Sequence, residues 1–178
     1  MDEKELKIIF EEHKNLVYNL ALNYFQQKEE AEDVIQEVFI KVFNNLHQFN
    51  FKNASLKTWI YRITVNTCLD FIKKKKSKKR ISFLTSLFYK NTNKAIEFES
   101  NFYQPGIELE NKEELKNLFI LINQLPETQK TALILSKIED RSQKEIAEIM
   151  NISIKAVESL IQRAKDNLSK KITETKDY

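Results

Sequence analysis

Glycine is nearly absent from this chain: one glycine and two prolines occur in 178 residues. Tight hairpins depend on residues that accept positive φ, so a sandwich or barrel of short strands is excluded in practice. The same scarcity removes glycine-rich phosphate loops and dinucleotide fingerprints, which need close backbone approach. The single cysteine, Cys68, permits no internal disulfide. With two histidines and neither paired-cysteine nor His-Glu-x-x-His spacing, no metal site or catalytic constellation is legible. An enzyme is therefore not expected, and no cofactor is implied. The start, MDEKELK, lacks a basic segment followed by an apolar run, and no stretch nears the ~18 apolar residues that cross a bilayer. A cytoplasmic protein with no membrane insertion is expected.

What the chain does have is 42% hydrophobic and 31% charged residues, with 12 Phe, 6 Tyr and 1 Trp. That balance suits an all-α protein. Leu6, Ile9, Phe10, Leu16, Val17, Leu20 and Tyr24 recur at helical spacing, and Val34, Ile35, Val38, Phe39, Val42, Phe43 and Leu46 form a stricter stripe. A third helix is expected from a cap at Ser55 to about Lys76. Helical periodicity then weakens, and Pro105 and Gly106 mark a linker. The expected organisation is two small helical domains, 1–80 and 113–178, joined by a flexible linker over 81–112. Pro126 is placed to open a helix within a C-terminal four-helix module.

Charge is divided unevenly along this plan. Residues 1–40 carry −6, residues 41–80 carry +10, and residues 113–178 are neutral. Seven of the eight residues in KKKKSKKR (73–80) are basic, a pattern that attracts polyanions. On the preceding helix, Trp59, Arg62, Asn66 and Lys73 fall along one edge. They offer an aromatic ring, a phosphate-binding guanidinium, an amide able to read a base edge and an ammonium. Taken alone, Trp59 reads first as a core anchor, which leaves Arg62 and Asn66 as the stronger candidates.

The segment QKEIAEIMNISIKAVESLIQ (143–162) reads as a helix-turn-helix. Ser142 and Glu145 form a capping box, Ala147 leaves room for a close crossing, Asn151 tolerates the left-handed turn, and Ser153 caps the second helix. Ile154, Val157, Leu160, Ile161, Ala164 and Leu168 share one side of that helix. Lys155, Ala156, Ser159, Gln162 and Arg163 are left on a face shaped for a major groove. On the second helix, Ile40 sits apolar among Asp33, Gln36, Glu37, Lys41 and Asn44, which marks either a partner surface or an ordinary exposed isoleucine.

In this order the parts resemble bacterial RNA polymerase sigma factors of the extracytoplasmic-function group. EEAEDVIQEVFIKVFNNL (29–46) is similar to the portion of region two that docks on polymerase. FKNASLKTWIYRITVNTCLDFIKKKK (51–76) is similar to the portion that melts and reads the minus-ten element, and residues 125–168 are similar to region four. The resemblance implies that Asp33, Gln36, Glu37, Ile40 and Asn44 contact the clamp coiled coil of the beta-prime subunit, and that the C-terminal domain meets the flap of the beta subunit. It implies a flipped minus-ten base held by the loop Asn50, Phe51, Lys52, Asn53 and Ser55, with Trp59, Arg62, Asn66 and Lys73 alongside. It also implies that Ser153, Lys155, Ala156, Ser159, Gln162 and Arg163 lie at the minus-thirty-five element, and that an anti-sigma factor covers these surfaces. One departure stands out: the family often has Thr-Val-Lys-Ser-Arg in the recognition helix, where this chain has Ala156, Val157, Glu158, Ser159 and Leu160. Fewer phosphate contacts and a different sequence preference are expected. A helix-turn-helix regulator that does not bind core polymerase is the alternative reading.

Overall fold

A computed structural model describes residues 3–49, 55–88 and 112–176. Among the described residues there are seven α-helices, one 3-10 turn and no strand. The first is α1 (Glu3–Phe25), followed by α2 (Lys28–Asn45), the 3-10 turn Leu46–Gln48 and α3 (Leu56–Phe88). The C-terminal module comprises α4 (Lys112–Asn123), α5 (Glu127–Lys137), α6 (Gln143–Met150) and α7 (Ile154–Lys176).

The apolar stripes read from the sequence do the packing. Val17, Leu20, Val34, Val38, Val42 and Ile60 are fully buried where α1, α2 and α3 meet. Phe10 meets Phe39 edge-on at 4.8 Å, and Phe39 leads on to Phe43 at 5.8 Å. Ser55 caps α3 as expected, its Oγ accepting from the Thr58 amide at 3.1 Å. The helix does not stop near Lys76, however, but continues to Phe88. Between Leu56 and Phe88 there is neither Gly nor Pro, and lysine is a good helix former, so nothing in that stretch ends it. Residues 81–88 of the expected linker are thus helical, and its remainder through 111 lies outside the described residues.

The two halves also pack on each other. One continuous set of buried residues runs from Val17, Tyr24, Ile60 and Cys68 into Ala132, Ile134, Leu135, Ile146 and Val157. A smaller set, Phe119, Ile122, Leu125, Leu133 and Ala164, closes the far side of the C-terminal module. The third helix is therefore buried on two sides, one against α1 and α2 and the other against α6, as its two apolar stripes imply.

Candidate nucleic-acid interface

The 3-10 turn after α2 brings Phe49 against α3, where its ring lies 4.8 Å from that of Trp59 at an interplanar angle of 32°. Beside this pair opens a groove of about 380 Å³, lined by Lys41, Asn45, Gln48, Ile63, Asn66 and Thr67 as well as the two rings. Lys41 is fixed at its edge: the ammonium donates to Thr67 Oγ1 at 3.2 Å and lies 3.5 Å from Glu37. An aromatic wall, amides able to match base edges and a cation at the rim form a set that can stack and hydrogen-bond a nucleobase. Trp59 is half-buried, so it serves both as a core anchor and as this wall. Asn50, Phe51, Lys52 and Asn53 lie outside the described residues. Ser55 is spent on its cap.

Four residues were read along one edge of α3, and the fold separates them. Trp59 and Asn66 share the groove. Arg62 turns away from it, its Nη2 donating to the Glu148 carbonyl of α6. Lys73 stands one turn beyond Leu69, exposed, 3.8 Å from Asp70. A helical wheel places residues by angle alone, whereas the long Arg62 side chain follows the neighbouring domain. The lysine run is likewise less free than its count suggests: Lys75 pairs with Glu30 of α2, Lys76 with Glu127 of α5, and Lys74 lies over the Phe71 ring. Pairs that keep one or both partners partly open to solvent add little stability and yield to competing phosphates.

In the helix-turn-helix, the local chemistry read from sequence is present in full. Ser142 Oγ accepts from the Glu145 amide at 3.3 Å and Glu145 accepts in return from the Ser142 amide at 2.9 Å. These bonds to the charged form hold the Glu145 carboxyl below its ordinary range. Asn151 takes φ 55°, and Ser153 Oγ accepts from the Ala156 amide at 3.2 Å, so Ser153 acts as a cap. Val157, Ile161 and Ala164 turn inward, while Lys155, Gln162 and Arg163 are exposed, and Ala156 and Ser159 are half-buried beside them. Gln162 donates to Asp166 one turn on, at 2.9 Å. Glu158 and Asp166 interrupt the basic character of this face.

The outer face of α2 is a third surface. Asp33, Gln36, Ile40 and Asn44 are exposed and Glu37 is half-exposed. Ile40 keeps 55% of its surface open to solvent, against none for Val38 and Val42 on the opposite face. No group of three or more metal-ligating side chains gathers among the described residues, and no described helix is long and apolar enough to cross a membrane. The reading from sequence missed the groove residues Asn45, Gln48 and Thr67, which come from three elements and share no periodicity. It also missed the polar contacts between the halves, where Asn23 and Lys130 are buried. Their only signal was a polar residue on an apolar stripe.

Comparison with known proteins adds to this geometry. A family described as Sigma-70 region 2 matches residues 9–78, and one described as Sigma-70, region 4 matches residues 119–168. An ECF RNA polymerase sigma-E factor of Haemophilus influenzae is 30% identical over 182 residues, which cover 96% of this chain and 89% of that one. The ECF RNA polymerase sigma factor SigW of Bacillus subtilis is 29% identical over 175 residues, 96% of this chain and 90% of that one. Among solved structures, the sigma factor RpoE of Bartonella quintana, in complex with the anti-sigma factor NepR, superposes with a TM-score of 0.67 at 21% identity. That match covers 96% of this chain and 98% of the other and shows a shared fold.

Proposed function

This chain belongs to the sigma-70 family of RNA polymerase sigma factors, and from that premise we propose how its three surfaces divide the work of promoter-specific initiation. It is a sigma factor of the ECF type and not an enzyme. The α2 face around Ile40, with Asp33, Gln36, Glu37 and Asn44, docks on the clamp coiled coil of the beta-prime subunit, and the C-terminal module meets the beta flap. In the groove beside Phe49 and Trp59, an extruded base of the minus-ten element stacks and pairs its edge with Asn66. Recognition of the minus-thirty-five element falls to Lys155, Ser159, Gln162 and Arg163. Like polymerase itself, the protein works in the cytoplasm.

The observation that carries this reading is the coexistence, in one chain, of a base-sized aromatic groove on α3 and a capped helix-turn-helix. A regulator that ignored polymerase would need only the second. Flipping a base costs a few kcal/mol, whereas one aromatic stack recovers on the order of 1–3 kcal/mol. The isolated protein therefore melts DNA poorly and depends on core polymerase. Because CnrH and RpoE, two solved structures that share this fold, are complexes with the cytosolic domain of CnrY and with the anti-sigma factor NepR, an anti-sigma partner is proposed for this chain as well.

The test is transcription by purified protein and core polymerase on a library of promoter sequences. Initiation should concentrate on promoters sharing two elements. Asn66→Ala should relax preference within the downstream element alone. Gln162→Ala combined with Arg163→Ala should cut initiation by about tenfold or more and relax the upstream one, since a good base contact contributes about 1–3 kcal/mol of discrimination. Unchanged promoter choice in both variants would refute the assignment of these surfaces.

A further inference from the structure

The outer face of α7 carries acids where a DNA-reading surface gathers cations. Lys155, Ser159 and Arg163 follow one another one turn apart, and Glu158, Gln162 and Asp166 form a second file beside them. Residues three or four apart on a helix are surface neighbours, with Cβ atoms about 5–6 Å apart, so Lys155 flanks Glu158, Ser159 flanks Gln162 and Arg163 flanks Asp166. Ser159 is half-buried and the others are exposed. Val157, Ile161 and Ala164 are held in the core on the opposite side, which fixes both files outward.

Hydrogen-bond chemistry divides the two files. An ammonium or a guanidinium only donates, whereas an ionised carboxylate only accepts. Glu158 therefore offers a DNA groove oxygen and no hydrogen. Gln162 could present either end of its amide, but its Nε2 donates to Asp166 Oδ1 at 2.9 Å, and a carboxylate can hold only the nitrogen end. The amide is thereby oriented before any base arrives, with Oε1 and one N–H left for that base.

The bases divide in the same way. In the major groove cytosine presents the N4 amino group and adenine the N6 amino group beside N7, whereas guanine and thymine present the keto oxygens O6 and O4. An amino group facing Glu158 donates to its carboxylate. A keto oxygen in that place sets lone pairs against a negative charge and leaves the carboxylate desolvated without a partner. Lys155, at its side, suits the O6 and N7 of the guanine that pairs with cytosine, so a donor beside an acceptor matches a C·G pair in one orientation and clashes with the reverse. For Gln162, Oε1 with one N–H is the set that adenine N6 and N7 require.

We infer that Glu158, together with a Gln162 held by Asp166, selects the upstream promoter element by its amino groups: cytosine lies opposite Glu158 and adenine opposite Gln162, and a keto base opposite Glu158 is rejected. This rests on the promoter reading proposed above and deepens it. Glu158 is the contact that determines specificity, and Asp166 is a positioning residue that acts through Gln162. Charge adds a consequence. The two acids offset Lys155 and Arg163, so the paired files are formally neutral, and this face contributes discrimination between bases more than attraction to phosphates.

The test reads base preference position by position, in transcripts that purified protein and core polymerase initiate from promoters with a randomised upstream element. Wild-type protein should favour cytosine at one position by about tenfold or more over guanine or thymine, and adenine at a neighbouring position. Glu158→Gln keeps the size of the side chain but adds an N–H that a keto oxygen can accept. The cytosine preference should then fall to about twofold or less at that position alone. The same base profile in wild type and variant, or a wild-type profile without these preferences, would overturn the inference while leaving the promoter reading intact. An even loss of initiation across all sequences in Glu158→Gln would mark a structural role and overturn it too. Failure of wild-type protein to initiate would remove the promoter reading, and the inference with it.

Asp166 supplies an independent variant. Asp166→Ala frees the Gln162 amide to turn over, so the preference for adenine should weaken by about fivefold while the cytosine preference opposite Glu158 stays. Asp166→Glu, which keeps an acceptor-only group one turn beyond Gln162, should restore the adenine preference. A merely structural loss would lower initiation evenly and would not be repaired at a single base position. Full adenine preference in Asp166→Ala would overturn the positioning of Gln162 and the inference built on it.

Discussion

Among the described residues, Gln26, Asp140 and Asn151 adopt positive φ at 58°, 49° and 55°, where glycine is the usual choice. Asn151 pays little, because a short amide side chain tolerates this conformation. Gln26 is different: it makes the corner between α1 and α2, is buried, and leaves its Nε2 without a partner. Left-handed φ costs a residue with a Cβ about 1–2 kcal/mol, more than the 0.5–1 kcal/mol of unfolded-state entropy that glycine brings. Gln26→Gly should therefore stabilise the protein by about 1 kcal/mol, read as a raised midpoint in urea, while Asn151→Gly should change it by only a few tenths. A loss of stability in Gln26→Gly would show that the side chain makes a contact that outweighs the strain. Composition made the shortage of glycine plain, but not which residues would fill the left-handed corners. Asn151 was legible because asparagine is the common substitute, and Gln26 was not because glutamine has no such preference.

At the scale of the helix, legibility followed periodicity and caps. The stripes of α1 and α2, the cap at Ser55 and the capping box of α6 are local signals, and each stands where the sequence put it. The end of α3 had no local signal, since a lysine run continues a helix as readily as it leaves one. The α2 surface sits between these cases, for its spacing shows that Ile40 points outward but not what covers it. If polymerase covers it, Ile40→Ala removes a central apolar contact from the complex and almost nothing from the fold, because the side chain is 55% exposed. The variant should melt within the ~0.5 kcal/mol typical of surface changes, yet bind core polymerase about tenfold or more weakly, as a hot-spot truncation does. Val42→Ala, fully buried on the opposite face, should show the reverse. If Ile40→Ala binds core as wild type does, α2 meets polymerase by another face.

The meeting of the two halves was the least legible feature, because partners such as Asn23 and Glu139 are 116 residues apart and periodicity cannot say which stripes face each other. Its stability carries a pH signature. Burial pushes the Lys130 ammonium down to about 8 from an ordinary 10.5, with Glu127 and Cys68 opposing that shift and Lys76 adding to it. Between these values the unfolded chain holds a proton that the folded chain has released, so stability rises with pH, by about 1 kcal/mol from pH 8 to 9. Cys68 has the opposite sign: burial raises its thiol from 9.0 to about 12, so above pH 9 the unfolded chain loses a proton that the folded one keeps. Tyr24 and Tyr61, both raised by burial, pull the same way above pH 10. Stability should therefore climb from pH 7.5, peak near pH 9 and fall beyond it. Lys130→Met should erase the climb and leave the fall, at some loss of the hydrogen bonds to Tyr24 and Asn123. Chemical denaturation across pH 7–10.5 measures both limbs, and a wild-type curve that is flat from pH 7.5 to 9 would mean that Lys130 is not buried as a charge, and hence that the halves do not close over it.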